Sequence, residues 1–262
     1  MDTSADLTLV DTQIVSFAQK GDDAAAKKVR GAGISSITAA EFLLMQGVSG
    51  GRPDYYVLDP QRFRHLRMGV LYAVNDHWGN KKWAAGNHHR TDQLILEFGK
   101  DYPRYIEYGN LAIAEILNQR MTELFRLSIS HLEKGKQKYR RKRFDYLLQQ
   151  ELECHPVTKP IAQLAVELFG AFVSAHSPKS NIRNTLNDML ILATARSNGL
   201  DLLTEDKLLN QFGAEYCGVK ASIEGGWLRV RFREAKPAAK TPMRESKGYI
   251  NRGWEVKVRR DS

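Results

Sequence analysis

The stretch NDMLILATARSNGLDLLTEDKLL (187–209) is the most informative in the chain. Its first half carries apolar residues at helical spacing and stops at Gly199, a residue that commonly closes a helix because it tolerates the left-handed conformation. "LDLLT" then reads as a short buried strand, with Asp206 just past its end. A helix feeding a strand, with Asp188 inside the helix and Asp206 beyond the strand, reads as part of a parallel α/β sheet. Asp188 is also a poor helix former set in an apolar helix, so its presence there asks for a reason.

The N-terminal region repeats the pattern. "LTLVDTQI" (7–14) is a short strand ending on Asp11, followed by a helical stretch to Gly31. "AGISSI" (32–37) is a second strand. "TAAEFLLMQG" (38–47) is a helix that Thr38 can cap and Gly47 can end, which puts Glu41 in its first turn. Ligands of parallel sheets sit beyond the carboxyl ends of the strands. Asp11, Glu41, Asp188 and Asp206 can therefore converge on one rim. Each also has an ordinary reading: a turn start at Asp11, a Thr38–Glu41 capping box, a solvent-facing Asp188, a helix cap at Asp206. Together they argue for a site, because three strand ends each deliver an acid to one edge. Two full negative charges ~5 Å apart repel by roughly 3 kcal/mol at an effective dielectric near 20. A hard divalent cation, Mg²⁺ or Mn²⁺, offsets that repulsion and prefers oxygen ligands. A pair of such ions is suited to phosphodiester hydrolysis.

The rest of the chain is less regular. Residues 48–92 show no clear period. Helical segments are expected over 91–99, 105–132, 136–153 and about 161–175, and "AEYCGVK" (214–220) reads as a further strand. The apolar stripe within 105–132, including Leu111, Ile113, Ile116 and Leu124, fits core or a homodimer surface. In "WLRVRFR" (227–233) Leu228, Val230 and Phe232 alternate with Arg229, Arg231 and Arg233, a strand pattern, and "WEVKVRR" (254–260) alternates again. His77, His88 and His89 with Asp76 and Asp92 match no strong metal-ligand spacing.

The net charge of +9 is unevenly distributed. "KGKQKYRRKR" (134–143) holds seven basic residues and no acid, and residues 229–262 hold eleven basic and four acidic. The remaining 21 basic and 26 acidic residues give a mildly acidic body. Two cationic segments beside an acidic centre point to a polyanionic partner, most simply nucleic acid. Lys134, Lys136, Lys138, Arg140, Arg141, Lys142 and Arg143 would meet phosphates, with Tyr139 and Phe144 offering stacking surfaces. Arg229, Arg231 and Arg233 are candidates of the same kind, although a basic edge strand also blunts aggregation without any ligand. No apolar run approaches the ~20 residues needed to span a bilayer. "MDTSADL" lacks a signal-peptide pattern, and Cys154 and Cys217 are far apart, so a reducing cytoplasm is expected.

"LTLVDT", "ISSITAAEFL" and "NDMLILATARSNGLDLLTEDKLL" resemble the three signature blocks of PIN-domain nucleases. The third is the most specific, through the order of Asp188 and Asp206 and their 18-residue spacing. The resemblance implies a parallel sheet flanked by helices and a metal-dependent endonuclease, usually acting on RNA. It carries over Asp11, Glu41, Asp188 and Asp206 as metal-site acids, and Thr204 as a hydroxyl that helps position the site. The family commonly has Asn where Gln13 stands. Such proteins often act as toxins with an inhibitory partner, or in defence against phage. With 146 residues between Glu41 and Asp188, the resemblance divides the chain into a discontinuous core (1–46 and 158–225), a mainly helical insertion (47–157) and a basic strand-like extension (226–262). A structure-selective DNA nuclease and a non-catalytic RNA-binding module are the competing readings.

Overall fold

The computed structural model describes residues 8–45, 57–63, 91–97, 104–179, 181–216 and 229–233. Three-residue runs build the main sheet: β1 (Thr8–Val10), β2 (Gly33–Ser35), β5 (Glu153–His155) and β6 (Asp201–Leu203). All pair in parallel, in the order β5-β2-β1-β6. Leu9 pairs with Leu202, and Val10 with Leu203. Side chains alternate across these strands, so the sheet serves two cores. Leu9 and Leu202 face one, while Val10, Ile34 and Leu203 face the other. A sheet covered on both faces buries apolar side chains on either side, as at Leu9, Val10, Ile34 and Cys154.

Helices α1 (Thr12–Gln19), α2 (Asp23–Val29) and α3 (Ser36–Phe42) follow the first two strands. After a short turn α4 (Pro60–Phe63), helices α5 (Asn110–Asn118), α6 (Thr122–Ser128) and α7 (Lys134–Gln149) complete that side. Phe125 of α6 stacks on Phe144 of α7 with ring centroids 4.0 Å apart. The opposite side is formed by α8 (Lys159–Ala175), α9 (Ile182–Ser197) and α10 (Lys207–Tyr216). Gly199, at φ +65°, closes α9: its N–H donates to Arg196 O and that of Leu200 to Ala195 O, turning the chain sharply into β6.

The α/β parallel sheet flanked by helices agrees with expectation, but four local expectations do not. Residues 93–97 and 105–108 are strands β3 (Gln93–Glu97) and β4 (Tyr105–Tyr108), not helix. They pair antiparallel, and β7 (Arg229–Arg233) joins the other edge of β3. This gives a second sheet, in the order β4-β3-β7. Residues 214–216 continue α10 and do not start a strand. The fourth strand of the main sheet is β5, which lies inside the stretch read as an insertion. Finally, α3 starts directly at the end of β2, with Ser35 as its N-cap. Thr38 is therefore interior, and Glu41 lies in the last turn. The apolar stripe over 110–124 is largely core: Ile113, Ile116, Leu117 and Leu124 are buried and Leu111 is exposed.

Candidate active site

The four acids meet at the carboxyl ends of β1, β2 and β6. Asp11 is the N-cap of α1. Its Oδ1 accepts from the N–H of Thr12 at 2.6 Å and its Oδ2 from the hydroxyl of Thr204 at 2.8 Å. The backbone N–H of Asp11 donates to Leu203 O at 3.0 Å, fixing the rim between β1 and β6. Burial pushes the Asp11 carboxyl above its ordinary range, against the Thr204 and Thr12 hydrogen bonds.

Glu41 reaches the rim from the end of α3. Its two oxygens accept from the hydroxyl of Thr12 and from Nδ2 of Asn187, the latter at 2.6 Å. Asn187 is buried, and its Oδ1 accepts from the Tyr105 hydroxyl at 2.9 Å. Tyr105 lies under the Arg183 guanidinium, 4.8 Å from its centre, and Arg183 pairs with the buried Glu107. Glu41 is thus held by a chain of side chains running from α9 into β4. Burial raises its pKa, opposed by Thr12 and Asn187.

Asp188 and Asp206 share a partner that sequence reading missed. Lys179 Nζ donates to Asp188 Oδ2 at 2.6 Å and to Asp206 Oδ2 at 3.0 Å. The two carboxylates are similarly shielded, with side chains 19% and 18% exposed, yet they respond oppositely. Burial, reinforced by the charges of Asp11 and Glu41, pushes Asp188 up to about 7 despite Lys179. Burial also acts on Asp206, but the N–H groups of Leu209 and Leu208 and the lysine together hold it below its ordinary value. Asp206 thereby caps α10 with one oxygen and meets Lys179 with the other. Thr204 links the rim: its hydroxyl also accepts from the N–H of Asp206 at 3.0 Å.

Among the described residues, no group of three or more His, Cys, Asp or Glu side chains is arranged to hold a metal ion as it stands. Each acid is turned onto a protein donor instead. The donor set nevertheless fits a hard divalent cation. Its ligands are all oxygen, the charges of Asp11, Glu41, Asp188 and Asp206 act on one another, and a cationic group already sits on two of them. Asp11, Asp188 and Asp206, with Glu41 behind, are the residues that would hold it. Of the histidines and aspartates at 76–92 only Asp92 lies within the described residues, where it accepts the N–H groups of Leu111 and Ala112 at the start of α5. His77, His88, His89 and Asp76 lie outside them.

The basic residues of α7 have different surroundings. Arg140 donates to Leu44 O at 3.3 Å and Arg143 to Phe42 O. The Arg143 guanidinium also lies over the rings of Phe42 and Tyr139. These two arginines strap α7 to the end of α3, where helix carbonyls lack partners. Lys138, Tyr139, Arg141 and Lys142 instead line an open groove of about 960 Å³, together with Arg126 of α6 and Gln19 of α1. Lys134 and Lys136 are exposed at the start of the helix. Arg229, Arg231 and Arg233 fall in β7, whose side chains are not described.

No curated protein and no solved structure matches the chain. The PIN domain family model matches residues 109–215. The match runs from the residue before α5 into α10, and so takes in β5, Asp188, Thr204 and Asp206. With the parallel sheet flanked by helices, this match supports assignment to the PIN-domain family, whose domains are in general metal-dependent nucleases.

Proposed function

We propose that the chain is a Mg²⁺- or Mn²⁺-dependent endoribonuclease whose site is built from Asp11, Glu41, Asp188 and Asp206, with Thr204 positioning Asp11. The observation that carries this reading is the meeting of four carboxylates from separate elements at one strand-end rim of a PIN-family chain. A bound divalent ion would supply Lewis-acid stabilisation of the scissile phosphate. The protein's own part is to hold the acids in place. Thr204 fixes one oxygen of Asp11, Thr12 bridges Asp11 and Glu41, and the Asn187–Tyr105 pair orients Glu41 from behind.

The groove on α7 is the proposed nucleic-acid surface. It begins at Gln19, the last residue of α1, roughly 12 Å along that helix from Asp11 at 1.5 Å per residue. A strand leaving the acid rim along α1 would meet Lys138, Arg141 and Lys142, with the exposed ring of Tyr139 available for stacking. We further propose that the nuclease core includes residues 109–157, since β5 and α5 pack into the main sheet, and that the insertion is confined to about 47–108. Among the described residues no helix is long and apolar enough to cross a membrane. A cytoplasmic location belongs to the proposal, as does a toxin or phage-defence role, for which family resemblance is the support.

Incubating labelled RNA, single-stranded DNA and duplex DNA with the protein, with and without Mn²⁺, tests the function. Internal, metal-dependent cuts in RNA are expected. Cleavage confined to DNA would support the structure-selective DNA nuclease, and binding without cleavage the non-catalytic module. Growth arrest on expression, relieved by Asp206→Asn, is the expected result for a toxin.

A further inference from the structure

We infer that Lys179 is a built-in cation that occupies the metal seat between Asp188 and Asp206 and leaves it when a divalent ion enters. The inference rests on the metal-site reading above and concerns how that site is filled.

The geometry is specific about which oxygen is contested. Asp206 Oδ1 accepts the N–H groups of Leu208 and Leu209 at 3.0 and 3.1 Å, so it is committed to the start of α10. The oxygen left for a ligand is Oδ2, and Lys179 Nζ is on it. The same ammonium contacts Asp188 Oδ2 and acts on the charge of Asp11. Lys179 therefore faces three of the four acids and offsets their mutual repulsion in the absence of metal. A divalent ion entering there must compete with it for the same two oxygens.

The lysine is also mounted so that its side chain can leave without its backbone. Its N–H donates to the hydroxyl of Thr185 at 3.0 Å, and Thr185 is buried on α9. Pro178 precedes it and fixes one backbone torsion. The Cα position is thus pinned, while the side chain is 39% exposed and has a flexible four-carbon stem leading to solvent. Rotation of that stem frees both oxygens and leaves the backbone in place.

Mn²⁺ binding, measured by electron paramagnetic resonance or calorimetry without nucleic acid, reads this directly. Two partly exposed ion pairs contribute little each, so Lys179→Met should tighten Mn²⁺ binding by on the order of tenfold. Lys179→Arg, which keeps the charge, should stay close to wild type. A folded Lys179→Met protein with unchanged or weaker Mn²⁺ affinity would overturn the inference and leave the metal site standing. Absence of Mn²⁺ binding in both wild type and Lys179→Met would overturn both. A second measurement uses the unmodified chain: the rate at which an amine-reactive reagent labels Lys179, followed by mass spectrometry. Saturating Mn²⁺ should raise labelling of Lys179 several-fold relative to other lysines. Labelling that does not rise contradicts displacement even if Lys179→Met fails to fold.

Discussion

At the scale of single residues, the acids of the rim differ in what else they support, and their substitutions should differ accordingly. Asp206 has one oxygen on the N-terminus of α10 and the other on Lys179. Asn caps a helix about as well as Asp. Asp206→Asn should therefore abolish metal-dependent cleavage while its melting curve stays within about 1 kcal/mol of wild type. Asp206→Ala should lose activity equally and cost about 1 kcal/mol more through the lost cap. A fully active Asp206→Asn protein would remove this residue from the site. Glu41 is a different case. It lies in the last turn of α3 and accepts from Thr12 and Asn187, so it has no capping role to confuse its test. Glu41→Gln presents an amide to one of two donors. It should lose cleavage and also some stability, read from the same pair of measurements.

At the scale of elements, α5 shows how distant parts of the chain cooperate. Its N-cap is Gly109, at φ +77° with no side chain to offer, and Asp92 caps it from outside. Burial raises the Asp92 carboxyl to about 6, against the Leu111 and Ala112 hydrogen bonds. Between its ordinary value of 3.8 and about 6, the folded chain keeps a proton that the unfolded chain has released. The Asp92 contribution to stability is therefore full below pH 4, falls as pH rises through 6, and is flat above. The steepest part reaches at most one proton, about 1.4 kcal/mol per pH unit. Urea midpoints from pH 4 to 7.5 should show this component in the wild type and not in Asp92→Asn. None of this was legible in the sequence. Leu94, Ile95 and Leu96 form an apolar run that suits a buried helix as well as a strand. What makes them a strand is pairing with β4 and with the far-off β7. Strand β5 was hidden for a related reason, being three residues at the end of a sixteen-residue helix. By contrast β1, β2 and β6 were legible, because each is an apolar run leading directly into a polar helix start. Asp11 and Asp206 could be read as candidates because each sits at such a junction, whereas Glu41 lies in the last turn of α3 and Asp188 inside α9. Lys179 could not, since nothing local in "HSPKSN" says that its ammonium faces Asp188 and Asp206.

At the scale of the whole molecule, charge is sorted by position: acids at the sheet rim, and along α7 a groove lined by Lys138, Arg141 and Lys142 with Asp145 among them. The seven cationic residues of 134–143 look equivalent in the sequence, but the fold gives five of them two different tasks. Arg140 and Arg143 satisfy the carbonyls of Leu44 and Phe42. Lys138, Arg141 and Lys142 line the groove. If the groove follows a nucleic-acid backbone, changing these three together to Gln should weaken binding of long RNA and flatten the salt dependence of log K. Each lost phosphate contact removes roughly 0.7 from that slope on a single strand, so roughly 2 is expected for three. Cleavage at saturating RNA should change little, because the acids lie on other elements. Changing Arg140 and Arg143 to Gln should do the reverse: lower the melting temperature by loosening α7 from α3, and leave the salt slope nearly intact. Binding titrations at several salt concentrations, run beside melting curves, separate the two sets. Equal slopes for wild type and the Lys138/Arg141/Lys142 variant would show that the groove does not carry the backbone. Steering of the nucleic acid would then fall to the arginines of β7.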